Sequence, residues 1–134
     1  MLNKPFPRPT SLTQPFWDAL NEGIVKIQKC NNCNSWIFYP RSHCTNCLSP
    51  DLTWKKINGT GTIYTYSTPE ILPTASFFVD ELPQKIVVVE LDEGPRIPSN
   101  MVNVEIKDIW IGMRVKPFLD KVSDDITLLR FEPA

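Results

Sequence analysis

The stretch Cys30-Asn31-Asn32-Cys33-Asn34-Ser35-Trp36-Ile37-Phe38-Tyr39-Pro40-Arg41-Ser42-His43-Cys44-Thr45-Asn46-Cys47 contains every cysteine of the chain. They fall into two Cys-x-x-Cys pairs with ten residues between the pairs. Two residues between cysteines let both sulfurs of a pair point into one tight knuckle. Two facing knuckles complete a tetrahedral thiolate shell, the geometry that structural Zn²⁺ prefers. The separation is short for such sites, but a hairpin over residues 35–41 spans it. Cys30, Cys33, Cys44 and Cys47 are therefore the expected zinc ligands. Iron accepts the same four thiolates. A redox dithiol fits less well, because such sites use one pair within a βαβ unit. Four protein ligands leave no open position for water or substrate, so the metal is expected to staple a thin subdomain and to do no chemistry. His43, the only histidine, reads as a solvent-facing neighbour of the shell.

Outward from the knuckles, residues 24–28, 36–39 and 52–57 read as short strands, and the ribbon is assigned residues 24–57. From Gly59 onward the pattern is β throughout. Residues 62–68 alternate in a strand-like way, and 86–91 form an Ile-Val-Val-Val-Glu-Leu run too short for a core helix. Further strands are expected at 97–102, 113–119 and 126–131, separated by turns such as Asp92-Glu93-Gly94-Pro95. Five strands over residues 58–134 fit a Greek-key barrel of the OB type; strand number alone does not separate it from other small barrels. The connection over 69–83 is long and carries Phe77 and Phe78, which either tuck into the core or face a ligand or partner.

Residues 1–23 are assigned to an arm and a helix. Pro5, Pro7 and Pro9 favour an extended start, since proline fixes φ and biases the residue before it away from helix. A helix is expected over 13–23, capped by Thr13 and ended by Gly23. Phe16 and Leu20 share a face four residues apart, with Trp17 beside them; this face packs on its own domain or docks on another chain. The fold class is thus mainly β: an N-terminal helical arm, a zinc ribbon and a C-terminal five-stranded OB-fold barrel.

The 134 residues carry 42% hydrophobic and 22% charged residues, an ordinary globular balance. The formal net charge of −1 gives no surplus of Lys and Arg to meet a nucleic-acid backbone. Residues 1–10 have no apolar core of a secretory signal and no run is long enough to span a bilayer, so no membrane association is expected and a cytoplasmic location is. That reducing setting favours metal ligation over disulfides. With one histidine and no Gly-rich phosphate loop, no catalytic set is visible, and the chain reads as one that binds or supports.

Several blocks taken in order are more specific. They are Phe16-Trp17, the two knuckles around Phe38-Tyr39-Pro40-Arg41, Gly59-Thr60-Gly61-Thr62-Ile63-Tyr64-Thr65-Tyr66, Val89-Glu90-Leu91-Asp92-Glu93-Gly94-Pro95-Arg96, and Ile111-Gly112-Met113. From about Thr13 to the C-terminus the chain resembles the acyl-CoA-associated OB-fold family with a rubredoxin-like zinc ribbon, catalogued as domain-of-unknown-function family 35. One departure is Tyr39-Pro40-Arg41 where the family has Pro-Pro-Arg.

The resemblance implies an accessory subunit assembled with thiolase-superfamily proteins: thiolases, acyltransferases or steroid side-chain aldolases, and in some members a hydratase-like protein. The partner would hold the catalytic groups. This chain would bridge subunits and help line the channel for a coenzyme A thioester. On that reading Arg96, Arg114 and Lys116, with Arg41, are candidates to meet coenzyme A phosphates, and Phe77 and Phe78 to wall the acyl channel. Phe6, Phe16, Trp17 and Leu20 are candidates for the partner interface. The competing reading is a single-stranded nucleic-acid-binding ribbon and OB protein, with Tyr64, Tyr66, Phe77 and Phe78 as stacking platforms.

Overall fold

The computed structural model describes residues 5–70 and 83–134. Phe77 and Phe78 lie outside the described residues.

A hydrogen-bonded turn that starts at Thr10 leads into the helix. Thr10 N–H donates to Thr13 Oγ1 (2.9 Å), and Thr13 N–H donates back to Thr10 Oγ1 (3.2 Å). This reciprocal pair works as a capping box, with threonine in the place usually held by Glu or Gln. Thr13, the expected cap, is already helical at φ −93 and makes no side-chain cap bond of its own. Helix α1 (Gln14–Asn21) follows, with Pro15 in its first turn. It ends in a Schellman turn: Gly23 N–H donates to Leu20 C=O (3.0 Å) and Ile24 N–H to Ala19 C=O (2.8 Å). Gly23 sits at φ 81, where a side chain would be strained.

The ribbon is a three-stranded antiparallel sheet, with β1 (Val25–Cys30) between β2 (Trp36–Ile37) and β3 (Leu52–Ile57). β2 is shorter than the expected 36–39. β1 runs further than expected because its register with β3 continues to Cys30↔Leu52, into the first knuckle.

The barrel strands are β4 (Gly61–Ser67), β5 (Ile86–Leu91), β6 (Arg96–Asn100), β7 (Arg114–Lys121) and β8 (Thr127–Pro133). Their order is β6-β5-β4-β7-β8. A parallel bridge between Met101 and Phe131, with Val102 N–H donating to Phe131 C=O (2.8 Å), joins the two outer strands and closes the sheet. Meandering strands closed by a parallel contact give the OB barrel. Val87, Val89 and Leu91 alternate inward along β5. Gly61 is required by close approach, because a Cβ there would run into the Glu90 carbonyl.

Helix, ribbon and barrel share one apolar cluster. It takes Phe16 and Leu20 from α1, Val25, Ile27 and Ile57 from the ribbon, and Ile63, Val89, Val115 and Phe131 from the barrel. A second, small cluster of Cys30, Ile37 and Cys44 lies between the knuckles.

Phe131 is fully buried at the closure of the barrel. Phe131→Ala is expected to lower unfolding free energy by about 3–5 kcal/mol, and Thr10→Ala by about 1 kcal/mol. Chemical denaturation read by circular dichroism checks both, and equal losses would show that Thr10 does more than cap.

Candidate metal centre and the surrounding faces

Each Cys-x-x-Cys folds into the same turn. Cys30 and Cys44 N–H donate to Ser35 and Ser49 C=O, both at 2.8 Å. Asn34 and Leu48 take left-handed backbones, φ 63 and 65, and donate back to Cys30 and Cys44 C=O. The four Sγ atoms lie within 4.8 Å of one another, and the pairs Cys30–Cys47 and Cys33–Cys44 are 3.6 Å apart. Zn–S bonds of about 2.3 Å in a tetrahedron place sulfurs about 3.8 Å apart, so the four sulfurs gather at close to the spacing of a zinc shell. None of the cysteines is in a disulfide. The shell is closed, as expected of a structural site. His43 is exposed and outside it, with Nδ1 at 3.0 Å from Ser42 Oγ.

Without a cation the sulfurs titrate apart. Cys33 is brought down to about 5, first by the Ser35 hydroxyl and then by the Asn46 amide. Cys47 is lowered, first by the Asn32 amide. At Cys30 the Cys33 N–H pulls the thiol down, but burial and the neighbouring Cys47 and Cys33 sulfurs outweigh it and push it up to about 11.

A groove of about 330 Å³ opens where the three parts meet. Phe16 and Trp17 of α1, Phe38 and Tyr39 beyond β2, Ile97 of β6 and Leu129 of β8 line it. Across Pro98, Ser99, Leu128 and Arg130 it adjoins a second groove of about 480 Å³ that reaches Phe6 on the arm and Ile86 at the start of β5. Arg130 borders both; its Nε lies 2.8 Å from Asp120 Oδ2, off the hydrogen-bonding direction. The sequence reading did not single out Phe38, Tyr39, Leu128 or Arg130 for this face. The available signal was an aromatic pair just past a two-residue strand.

Of the charged candidates, Arg96, Arg114 and Lys116 lie elsewhere and are paired with carboxylates. Arg114 holds Asp92 with two bonds, at 2.7 and 2.9 Å, and Thr60 Oγ1 donates to the same carboxylate at 2.8 Å. Arg96 pairs with Glu90 (3.1 Å) and stacks 3.7 Å over the Tyr64 ring. Lys116 pairs with Glu132 at 3.6 Å. None of the three lines either groove. Of the expected interface residues, Leu20 is 1% and Phe16 7% exposed, both within the chain's own core, and Phe16 also forms part of the groove wall. Trp17 is half-buried and Phe6 is exposed.

Two outcomes follow. Purified protein is expected to hold one zinc per chain by elemental analysis, and Cys33→Ser to loosen residues 24–57 before the barrel in hydrogen exchange. The Asp92 carboxyl is held at about 2, below its ordinary 3.8, by the Arg114 bonds first and Thr60 second. Such a group stabilises the fold above its unfolded pKa, and the gain is lost as pH falls through the folded value. Both partners are about half-exposed, so the effect is small. The stability gap between wild type and Asp92→Asn is expected at neutral pH and to close between pH 3.8 and about 2 in acid titrations of thermal melts.

Comparison with known proteins agrees with this architecture. Residues 17–53 match the family model of the ChsH2 rubredoxin-like zinc ribbon domain, and residues 54–119 that of the ChsH2 C-terminal OB-fold domain. A DUF35 domain-containing scaffold protein of Methanocaldococcus jannaschii is 32% identical over 111 residues, covering 81% of this chain and 77% of that protein. A protein of Thermomonospora curvata described as a probable enoyl-CoA hydratase alpha subunit is 32% identical over 130 residues. That match covers 96% of this chain, which spans only 40% of the longer relative. Among solved structures, a chain of the Ltp2-ChsH2(DUF35) aldolase superposes with a TM-score of 0.83 at 29% identity, over 96% of this chain and 98% of that one. A DUF35 protein of unknown function from Sulfolobus solfataricus shares the fold, with a TM-score of 0.66 at 13% identity over 92% and 86% of the two chains. The ribbon of four cysteines, the closed five-stranded barrel and these matches together place the chain in the DUF35 family, as a ChsH2-type zinc-ribbon and OB-fold protein.

Proposed function

We propose that this chain is a non-catalytic accessory subunit of a thiolase-superfamily complex acting on acyl-CoA thioesters. The observation that carries the reading is the superposition of nearly its whole length on a chain of the Ltp2-ChsH2(DUF35) aldolase. A second support is the scaffold description of a relative covered over most of its length. The chain offers a closed metal site, surface carboxylates already paired with cations, and an apolar groove at the junction of its three parts. That inventory suits holding a partner and an apolar substrate arm.

In this reading the partner is a thiolase-like or aldolase-like protein, with a hydratase-like protein as a further one. The complex works in the cytoplasm. The arm with Phe6 and the exposed edge of Trp17 meet the partner, and Phe77 and Phe78 form part of the acyl wall. Coenzyme A phosphates would be met by Arg96, Arg114, Lys116 or Arg41, the first three exchanging their present carboxylate partners for phosphate. The nucleic-acid reading is weakened because one face of the Tyr64 ring is occupied by a guanidinium that is itself paired with Glu90.

The test is co-expression with thiolase-superfamily proteins encoded beside this chain. The chain alone is expected to show no thiolase, aldolase or hydratase turnover, the complex to show one of them, and His43→Ala to leave it unchanged. Turnover by the isolated chain would overturn the proposal. Removing residues 1–9, which spares the Thr10 cap and the core residues of α1, should cost co-purification while circular dichroism stays native. Phe77→Ala combined with Phe78→Ala should weaken acyl-CoA use more than assembly.

A further inference from the structure

The two knuckles are near-copies in chain order: Cys30-Asn31-Asn32-Cys33-Asn34-Ser35 and Cys44-Thr45-Asn46-Cys47-Leu48-Ser49. Their sulfurs receive donors in a divided pattern. The first cysteine of each pair, fully buried, is served by its own turn. Cys33 N–H lies 3.5 Å from Cys30 Sγ, and Cys47 N–H and Asn46 N–H lie 3.5 and 3.3 Å from Cys44 Sγ. The second cysteine of each pair is partly exposed. It is reached from the other knuckle by an asparagine in the third position of the motif. Asn32 Nδ2 is 3.4 Å from Cys47 Sγ, and Asn46 Nδ2 is 3.6 Å from Cys33 Sγ. Asn46 Nδ2 also lies 3.3 Å from Ser35 Oγ, which sits 3.1 Å from Cys33 Sγ. The crossing is therefore mutual, and it follows the pseudo-twofold relation of the turns.

We propose that Asn32 and Asn46 are cross-knuckle positioning residues that shield the two solvent-facing thiolates of the metal site. Four thiolates around a divalent zinc carry a net charge of about −2. The negative charge is most reactive where water and electrophiles reach it, at Cys33 and Cys47. An amide N–H aimed at each of these sulfurs draws charge away from it and covers its open side. Because each donor comes from the opposite turn, loss of one sulfur from the metal also breaks a tie between the knuckles. The ribbon has little apolar core of its own at this point, only Cys30, Ile37 and Cys44 with their neighbours, so such ties matter here. Outer-sphere partners of metal ligands typically change metal affinity by about 10–100-fold when removed.

The crossing makes an unusual forecast: each asparagine protects a cysteine of the other turn. With wild-type zinc stoichiometry established first, Asn32→Ala and Asn46→Ala are compared by zinc release to a chromophoric chelator and by iodoacetamide alkylation mapped by mass spectrometry. Asn32→Ala is expected to raise alkylation at Cys47 before Cys33, and Asn46→Ala at Cys33 before Cys47. The double variant should bind zinc at least about tenfold more weakly. In the cobalt-substituted protein the sulfur-to-metal charge-transfer band should shift. Asn32→Asp keeps the shape, removes the donor and adds a like charge, so it should release zinc faster than Asn32→Ala. Aspartate behaving as wild type would show that asparagine only fills space. Alkylation rising first within the altered knuckle would likewise overturn the proposal, as would unchanged release in both alanine variants. If a variant at 32 fails to fold, the variant at 46 reads the opposite cysteine independently.

Discussion

The thiolate shell is the constraint on which the ribbon depends. β2 is only two residues long, and the buried cluster between the knuckles contains one aliphatic residue, Ile37, among cysteines, with partly buried Leu52 packed against it. Apolar burial of that size does not offset the conformational entropy of ordering the turns. Metal–thiolate bonds do, because binding free energy at such a site is folding free energy. Two non-glycine residues, Asn34 and Leu48, hold left-handed backbones in the turns, and Leu48 is 74% exposed. Those conformations close the turns, with the Asn34 and Leu48 N–H groups donating to Cys30 and Cys44 C=O.

The other half of the ribbon is held by different physics. Val25 and Ile27 of β1, with Ile57 opposite Val25 on β3, join the cluster that contains Leu20 of the helix and Val89 and Phe131 of the barrel. The sheet is thus stapled by metal at one end and by hydrophobic burial at the other. The same burial fixes the helix, whose short length would be marginal in water without packing. Arm, ribbon and barrel are distinguishable in sequence but not in the core.

How far the sequence could be read follows from the range of each interaction. The knuckles are local, and spacing alone located them. β5 is a six-residue apolar run that matches residue for residue. The Glu90–Arg96 pair was accessible too, since a strand, a turn and a strand place these residues opposite each other. The helix cap shifted from Thr13 to Thr10 because the box uses threonine at its fourth position, a pattern without the usual Glu or Gln. The face of α1 could not be assigned, since Phe16 and Leu20 read equally well as core or interface until the barrel is in place. The closing bridge of Met101 to Phe131 and the groove built from Phe16, Phe38, Ile97 and Leu129 join residues far apart in the chain, and no local pattern announces them.

Those distant contacts also give the closed metal site a role beyond stapling. β1 carries Cys30 at its end and Gln28 two residues before it, and Gln28 is buried at 4% exposure. A buried amide must find partners, and Gln28 finds both on one residue. Its Nε2 donates to Arg41 C=O at 2.8 Å, and its Oε1 accepts from Arg41 N–H at 2.7 Å. That clamp ties the segment beyond β2 to the central ribbon strand, and the same segment supplies Phe38, Tyr39 and Pro40 to the groove wall. The helix wall is set by the barrel core, and the β6 and β8 walls are tied by Ser99 Oγ donating to Leu129 C=O at 2.7 Å. The ribbon wall packs on the main core through Phe38. The rest of it is tied to β1, whose last residue is the metal ligand Cys30. The closed coordination site is thus linked to the groove wall through a strand, one glutamine and a backbone clamp.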